Sequence, residues 1–173
     1  MRKTITGTGG KLVLETLKQA GVEYLFSNPG PAETGLFAAL AEDGEPRLVV
    51  AKHEGLVSSM ADGYHRMSGK VGVIIAHVMG GSYQLAGQLY NAQMAGSSLV
   101  VIAGDWTSEI QDFRGLAPFP ALSQAEAMRS LTKEARCAYQ VDNNPAALTL
   151  ATARALREAT TQPTGPVYLS IGG

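Results

Sequence analysis

Short apolar runs alternate with helical patterns along the whole sequence, and this alternation constrains the fold more than any other feature. Runs typical of buried strands cover residues 22–26, 48–51, 71–76, 99–103 and 167–171, and a weaker one lies at 136–141. Helical spacing of apolar residues covers 12–20, 33–42, 54–67, 82–94 and 145–160. Strands that are apolar on both faces and separated by helices form parallel sheets covered by helices. The sequence therefore predicts an α/β fold, a three-layer αβα sandwich with about six mostly parallel strands, as a single domain over residues 1–173.

Composition excludes several classes of function. The chain has 173 residues and a net charge of −1, which gives no electrostatic case for binding nucleic acid or an acidic membrane surface. One cysteine, Cys137, excludes an internal disulfide and a cysteine-rich zinc site. No apolar run approaches the ~20 residues of a membrane span, and the first residues lack the apolar stretch of a secretion signal. We therefore expect a cytoplasmic protein with no nucleic-acid or membrane partner.

Three predicted strands end in residues that are unusual at such positions. Asn28-Pro29-Gly30 follows the first strand, Glu54 follows the run at 48–51, and His77 follows the third strand, just before Gly80-Gly81. Ligands of parallel α/β sheets bind beyond the carboxyl ends of the strands. The sequence thus predicts that these residues meet at one edge of the sheet.

Each of these features also has a plainer interpretation. Glu54 could be a helix-start carboxylate, favoured by ~0.3–1 kcal/mol at the positive end of the helix dipole. Asn28-Pro29-Gly30 could be an ordinary turn. His77 could be a packed loop residue, or it could exchange protons near neutral pH beside a glycine pair that lets the backbone approach a ligand. The residue types alone leave these alternatives open.

Four ordered segments resemble the signatures of a known family. They are Gly21-Val22 with Phe26 and Pro29-Gly30, then His53-Glu54 with Ala61-Asp62-Gly63-Tyr64, then Leu131-Thr132-Lys133, and Gly165-Pro166-Val167-Tyr168-Leu169. Together they resemble the pyrimidine-binding (PYR) domain of the thiamine-diphosphate (ThDP) dependent 2-oxo acid decarboxylases and acetolactate synthases. Within that family the chain is most similar to benzoylformate decarboxylases, through residues 27–30, His77 with Gly81, and residues 165–170.

The resemblance implies a cofactor, a reaction and a set of roles. It implies ThDP, and non-oxidative decarboxylation of a 2-oxo acid or carboligation through the ThDP enamine. Glu54 would hydrogen-bond the N1′ atom of the aminopyrimidine and so activate the cofactor, and His77 would handle protons on the bound intermediate. The other residues implied to line the cofactor are Asn28, Pro29 and Gly30 on the thiazolium and substrate side, and Gly81 and Gln84 near the aminopyrimidine.

The chain also departs from the family pattern. Pro31 stands where benzoylformate decarboxylases have a serine that is expected to hold the substrate carboxylate, and Gln84 replaces an asparagine. The diphosphate-binding (PP) domain carries Gly-Asp-Gly and, nearly thirty residues later, Asn-Asn, and this chain has neither in that relation. Asp142-Asn143-Asn144 has only Gly104-Asp105-Trp106 upstream, which lacks the last glycine. The resemblance then implies the PYR subunit of a split enzyme, with Mg²⁺ held by a PP-domain partner chain in an α₂β₂ assembly. An excised domain of a longer enzyme is the alternative.

Two other functions compete with this interpretation. A PYR-like chain could act as a non-catalytic scaffold or regulatory subunit of a partner ThDP enzyme. From a different class, a stand-alone nucleotide-binding α/β module is conceivable, although the sequence has no phosphate-binding loop. Residues 104–121 are predicted to form a loop, in which Trp106 and Phe113 could contact a partner or substrate.

Overall fold

The computed structural model describes residues 6–105, 123–141 and 144–172. The helices are α1 (Gly9–Gln19), α2 (Thr34–Asp43), α3 (Glu54–Ser68), α4 (Val78–Ala95), α5 (Gln124–Met128) and α6 (Pro145–Thr160). The strands are β1 (Tyr24–Ser27), β2 (Arg47–Val50), β3 (Gly72–Ala76), β4 (Leu99–Asp105), β5 (Ala138–Val141) and β6 (Val167–Gly172). A 3₁₀ turn at Pro31–Glu33 leads into α2. Trp106, Phe113 and nearly all of the predicted loop lie outside the described residues.

The six strands form one parallel sheet in the order β2-β1-β3-β4-β6-β5. Its central strands are rich in β-branched residues and buried on both faces, as in β3, where Ile74 and Ile75 are at most 1% exposed. Successive side chains of a strand point to opposite faces, so each strand contributes to two cores. The predicted fold of about six mostly parallel strands is confirmed.

Helices cover both faces of the sheet. On one face Leu14 of α1 and Leu156 of α6 pack into a core with Ile75. On the other face Leu89 of α4 and Met128 of α5 pack with Ile74 in a second core. The predicted three-layer αβα arrangement is therefore confirmed. Within the described ranges, no helix combines the length and the apolar character needed to cross a bilayer.

Capping residues define two of the helix boundaries. Asn144 Oδ1 accepts hydrogen bonds from the backbone N–H groups of Ala146 at 3.1 Å and Ala147 at 3.3 Å, and Pro145 takes the first helical position. Gly69 ends α3 with a φ of +72°, a conformation that glycine adopts without steric cost.

The predicted start of α4 was wrong. The sequence predicts a helix from residue 82, but α4 begins at Val78, and Gly80-Gly81 lies in its first turn. The backbone N–H of Gly81 donates to His77 O at 2.8 Å, which closes that turn. Packing explains the difference, because Leu85 and Leu89 are fully buried against the sheet and outweigh the low helix propensity of two glycines.

Strand order places a crevice at the carboxyl edge. The chain leaves β1 into α2 on one face of the sheet, and it leaves the neighbouring strand β3 into α4 on the other face. Such a switch point opens a crevice beyond the carboxyl ends of the two strands. Asn28 and His77 directly follow these two strands.

Candidate active site

The carboxyl edge brings together residues that lie far apart in the sequence. Asn28 follows β1, and Glu54 is the first residue of α3, shortly after β2. Asn28 Nδ2 donates a hydrogen bond to Glu54 Oε1 at 3.1 Å. The predicted convergence of these two strand ends is therefore seen directly in a side-chain contact.

Glu54 keeps one carboxylate oxygen without a protein partner. The capping bond at the start of α3 is made by His53, whose Nδ1 accepts from Gly55 N at 3.0 Å. Glu54 is half-buried, and its Oε2 has no hydrogen-bond partner among the described residues. Asn28 thus orients the carboxylate while Oε2 stays available as an acceptor.

Two glycines let the backbone approach these side chains closely. A Cβ on Gly81 would lie 3.2 Å from Glu54 Oε1 and 3.6 Å from His77 Cβ. A Cβ on Gly30 would overlap the His77 imidazole at Cγ and Nδ1. The turn after β1 therefore lies against one side of the His77 ring, and the first turn of α4 lies beside Glu54.

His77 has a carboxylate partner that sequence reasoning missed. Its Nδ1 lies 3.1 Å from Oε2 of Glu33, a residue 44 positions earlier in the chain. Glu33 is only 6% exposed, and its Oε1 accepts from Gly104 N at 3.2 Å. Burial raises the pKa of the Glu33 carboxyl above its ordinary value, against the opposing hydrogen bonds from His77 and Gly104. Glu33 opens the predicted helix 33–42, where an acidic residue is typical, so the sequence carried no separate signal for it.

The remaining predicted residues divide into two groups. Gly30 and Gly81 lie against His77 and Glu54 as described, and Pro29 is exposed at the turn. Gln84 is exposed on α4, and its side chain makes no hydrogen bond to another described residue. The structure thus groups Asn28, Gly30, Glu54, His77 and Gly81, and the Gln84 side chain makes no hydrogen bond to any of them.

In the part of the chain that the structure describes, no group of three or more His, Cys, Asp or Glu side chains could hold a metal ion. The thiol of Cys137 is buried, and burial raises its pKa, which disfavours the reactive thiolate.

Comparison with known proteins decides the family. The profile described as "Thiamine pyrophosphate enzyme, N-terminal TPP binding domain" matches residues 7–126. The chain belongs to this family. The match includes β1 through β4, and with them every residue placed at the site above.

Relatives and solved structures agree with this assignment. The chain is 30% identical to acetolactate synthase of Bacillus subtilis over 98% of its length, and 32% identical to benzoylformate decarboxylase of Pseudomonas aeruginosa over 91%. It superposes with a TM-score of 0.82 and 27% identity on the ThDP-dependent 4-hydroxybenzoylformate decarboxylase of Rhodococcus jostii RHA1, covering 96% of this chain and 30% of that one. The chain spans 28% of each of the two curated relatives. It is therefore a ThDP-enzyme PYR domain related to acetolactate synthases and 2-oxo acid decarboxylases.

Proposed function

We propose that this chain is the PYR subunit of a split ThDP-dependent enzyme that decarboxylates or ligates a 2-oxo acid in the cytoplasm. The observation that carries the proposal is the Glu54 carboxylate, held by Asn28 at the carboxyl edge with one oxygen available. The proposal treats residues 1–173 as one PYR-type domain, with the PP domain on a separate subunit.

The residues at the edge fit the aminopyrimidine half of ThDP. Glu54 Oε2 can accept a hydrogen bond from a protonated ring nitrogen, and Gly81 presents backbone instead of a side chain beside it. Asn28, Pro29 and Gly30 would line the thiazolium and substrate side, and Gln84, one turn after Gly81 on α4, would lie near the aminopyrimidine. When bound, ThDP supplies the carbon nucleophile and the electron sink needed to break a bond next to a carbonyl.

The chain's own side chains would carry the proton movements. Glu54 would share a proton with the N1′ nitrogen, a task that suits a carboxylate in a partly dry site. Asn28 would keep Oε1 occupied, so that Oε2 is the oxygen presented to the cofactor. His77 would move a proton to or from the reacting carbon or oxygen of the bound substrate.

Pro31 bears on the choice of substrate. It begins the 3₁₀ turn after the Asn28-Pro29-Gly30 segment, and it provides no hydroxyl to hold a substrate carboxylate. We therefore propose that the carboxylate is held elsewhere, in part by the partner, and that benzoylformate itself is a poor substrate.

An exposed apolar face supports the need for a partner. Large apolar side chains lie at helical spacing on the adjacent helices α3 and α4 and are 39–89% exposed; they are Leu56, Met60, Met67, Tyr83, Tyr90 and Met94. This α3/α4 face begins next to the site, since Leu56 is two residues from Glu54. Exposed apolar patches of this kind mark interaction surfaces. We assign it to the PP-domain subunit, which would also hold Mg²⁺ and the diphosphate in an α₂β₂ assembly.

Reconstitution tests the proposal. The chain would be co-expressed with a candidate PP-domain subunit that carries the Gly-Asp-Gly and Asn-Asn motifs, and supplied with ThDP and Mg²⁺. A panel of 2-oxo acids would be assayed for CO₂ release and for carbon–carbon bond formation. We expect turnover by the complex and none by either subunit alone. A complex that forms but turns over no 2-oxo acid would favour a non-catalytic scaffold, and turnover by this chain alone would refute the requirement for a partner.

A further inference from the structure

The side chain of His77 has three neighbours in this chain, two of them against its imidazole. Its Nδ1 faces Glu33 Oε2 at 3.1 Å, the backbone of Gly30 lies against the ring, and Gly81 lies beside its Cβ. Although His77 is the N-cap of α4, its side chain makes no capping bond. The ring is therefore oriented by the site rather than by the helix it precedes.

Glu33 is itself fixed from the neighbouring strand. Gly104 of β4 donates its backbone N–H to Glu33 Oε1, and a Cβ at position 104 would overlap that oxygen. Gln124 Nε2 donates to the carbonyl of Gly104 at 3.0 Å and its Oε1 accepts from Tyr168 Oη at 3.1 Å. Tyr168 Oη can also accept from Ser82 Oγ at 2.6 Å, and Ser82 Oγ lies 2.8 Å from Val78 O beside His77. A buried hydrogen-bond network thus connects Gly104, which holds the Glu33 carboxylate, to the first turn of α4.

We propose that Glu33 is a positioning residue that fixes the proton of neutral His77 on Nδ1 and so presents Nε2, unprotonated, to the reacting substrate. A carboxylate is acceptor-only, so the ring nitrogen facing it must carry the proton. The tautomer of a histidine is set by the hydrogen bond that its other nitrogen makes. Nε2 has no hydrogen-bond partner among the described residues, which leaves it available for proton exchange. The catalytic part of this inference rests on the proposed function, whereas the tautomer does not.

The chain contains its own reference signals for a test by NMR. It has only three histidines. His65 Nδ1 lies 2.9 Å from the carbonyl of Lys70 and must donate, whereas His53 Nδ1 accepts from Gly55 N. The two therefore represent the two neutral tautomers, and His77 can be compared with each.

The experiment is a ¹H–¹⁵N correlation of the imidazoles in the full chain, recorded at about pH 8.5, about two units above the ordinary pKa of a free histidine. The His77 signals are assigned by their loss in His77→Gln. We expect wild-type His77 to show the Nδ1–H pattern of His65. In Glu33→Gln the carboxamide can accept from Gly104 and donate to Nδ1, so we expect His77 to change to the Nε2–H pattern of His53. Glu42→Gln, an exposed carboxylate on α2, is the matched control and should leave all three signals in place.

A second variant and an activity measurement separate positioning from folding. Gly104→Ala keeps Glu33 but displaces its carboxylate, and we expect it to disturb the His77 tautomer as Glu33→Gln does. In the reconstituted enzyme, Glu33→Gln should lower kcat by about 10- to 100-fold with little change in KM, and Glu33→Asp should recover part of the loss. An Nε2–H tautomer in the wild type, or a tautomer unchanged in Glu33→Gln, would overturn the proposal. So would a changed tautomer with full kcat. If the wild-type enzyme showed no turnover, that result would count against the proposed function. The NMR comparison of the His77 tautomer in wild type and Glu33→Gln would still test whether Glu33 positions His77.

Discussion

Two carboxylates flank the site, and their surroundings differ. Glu33 ends the 3₁₀ turn that precedes α2, is 6% exposed, and is hydrogen-bonded through both oxygens. Glu54 is half-buried and keeps Oε2 without a partner among the described residues. The first arrangement suits a residue that holds another side chain in place, and the second suits one that meets a ligand.

The buried carboxylate at position 33 makes stability depend on pH. Its pKa is raised in the folded state, so the contribution of protonated Glu33 is fully present below the ordinary value of 4.5 and is lost as pH rises through the raised pKa. In Glu33→Gln this contribution is absent. Urea unfolding measured from about pH 5 upward should show the variant gaining stability relative to wild type as pH rises, because only the wild type loses the contribution of the protonated carboxyl. A stability difference that does not change with pH would contradict the assignment.

Gly30 matters to the site because it has no side chain. A Cβ at position 30 would overlap the His77 imidazole, so Gly30→Ala must displace the ring. Since small misplacements of catalytic groups cost up to about 10²-fold, we expect activity of the reconstituted enzyme to fall by 10- to 100-fold. Gly35→Ala is the matched control, because nothing lies within 4 Å of the Cβ it would add. Equal activity of the two variants would show that His77 does not depend on this contact.

At the scale of elements, local sequence decides some helix ends and tertiary packing decides others. Asn144 and Pro145 begin α6 through their own chemistry, which is why that end was predictable. The start of α4 was not, because Gly80 and Gly81 favour a loop locally and the buried residues of the helix override them.

The Asn144 cap can be tested separately from function. Asn144→Ala removes the acceptor of two backbone N–H groups at the start of α6, and we expect it to lower the free energy of unfolding by about 1 kcal/mol. Asn144→Asp keeps an acceptor oxygen and should retain most of the stability. Chemical denaturation measures both, and a loss in Asn144→Asp as large as in Asn144→Ala would contradict the capping role.

The site shows the same division between local and long-range information. Glu54, His77 and Asn28 could be predicted because each follows a strand, and the ends of parallel strands share an edge. Glu33 could not, because its importance depends on β1, β3 and β4 being neighbours, which brings His77 and Gly104 to it from 44 and 71 positions away. The spacing of apolar residues predicts the helices and strands, but it does not predict which strands pair.

At the scale of the whole molecule, the α3/α4 face is the feature that a single chain leaves unexplained. We expect the double variant Met60→Lys, Tyr90→Lys to weaken binding of the PP-domain subunit by tenfold or more, because charged residues at the centre of an apolar interface cost affinity. Leu150→Lys is the matched control, since Leu150 is an exposed apolar residue on α6, across the sheet from this face. Calorimetric titration of the two subunits measures the effect. Equal losses in the two proteins would show that the partner does not bind the α3/α4 face.

Replacement of the Glu54 carboxylate by its isosteric amide tests the central claim most directly. In the assembly of this chain with its PP-domain subunit, ThDP and Mg²⁺, we measure turnover of the best 2-oxo acid by wild type, Glu54→Gln and the exposed control Glu42→Gln. An amide cannot share a proton with the aminopyrimidine, so we predict that kcat falls by about 10²-fold or more in Glu54→Gln, with assembly intact and Glu42→Gln unaffected. Wild-type turnover in Glu54→Gln would contradict the account.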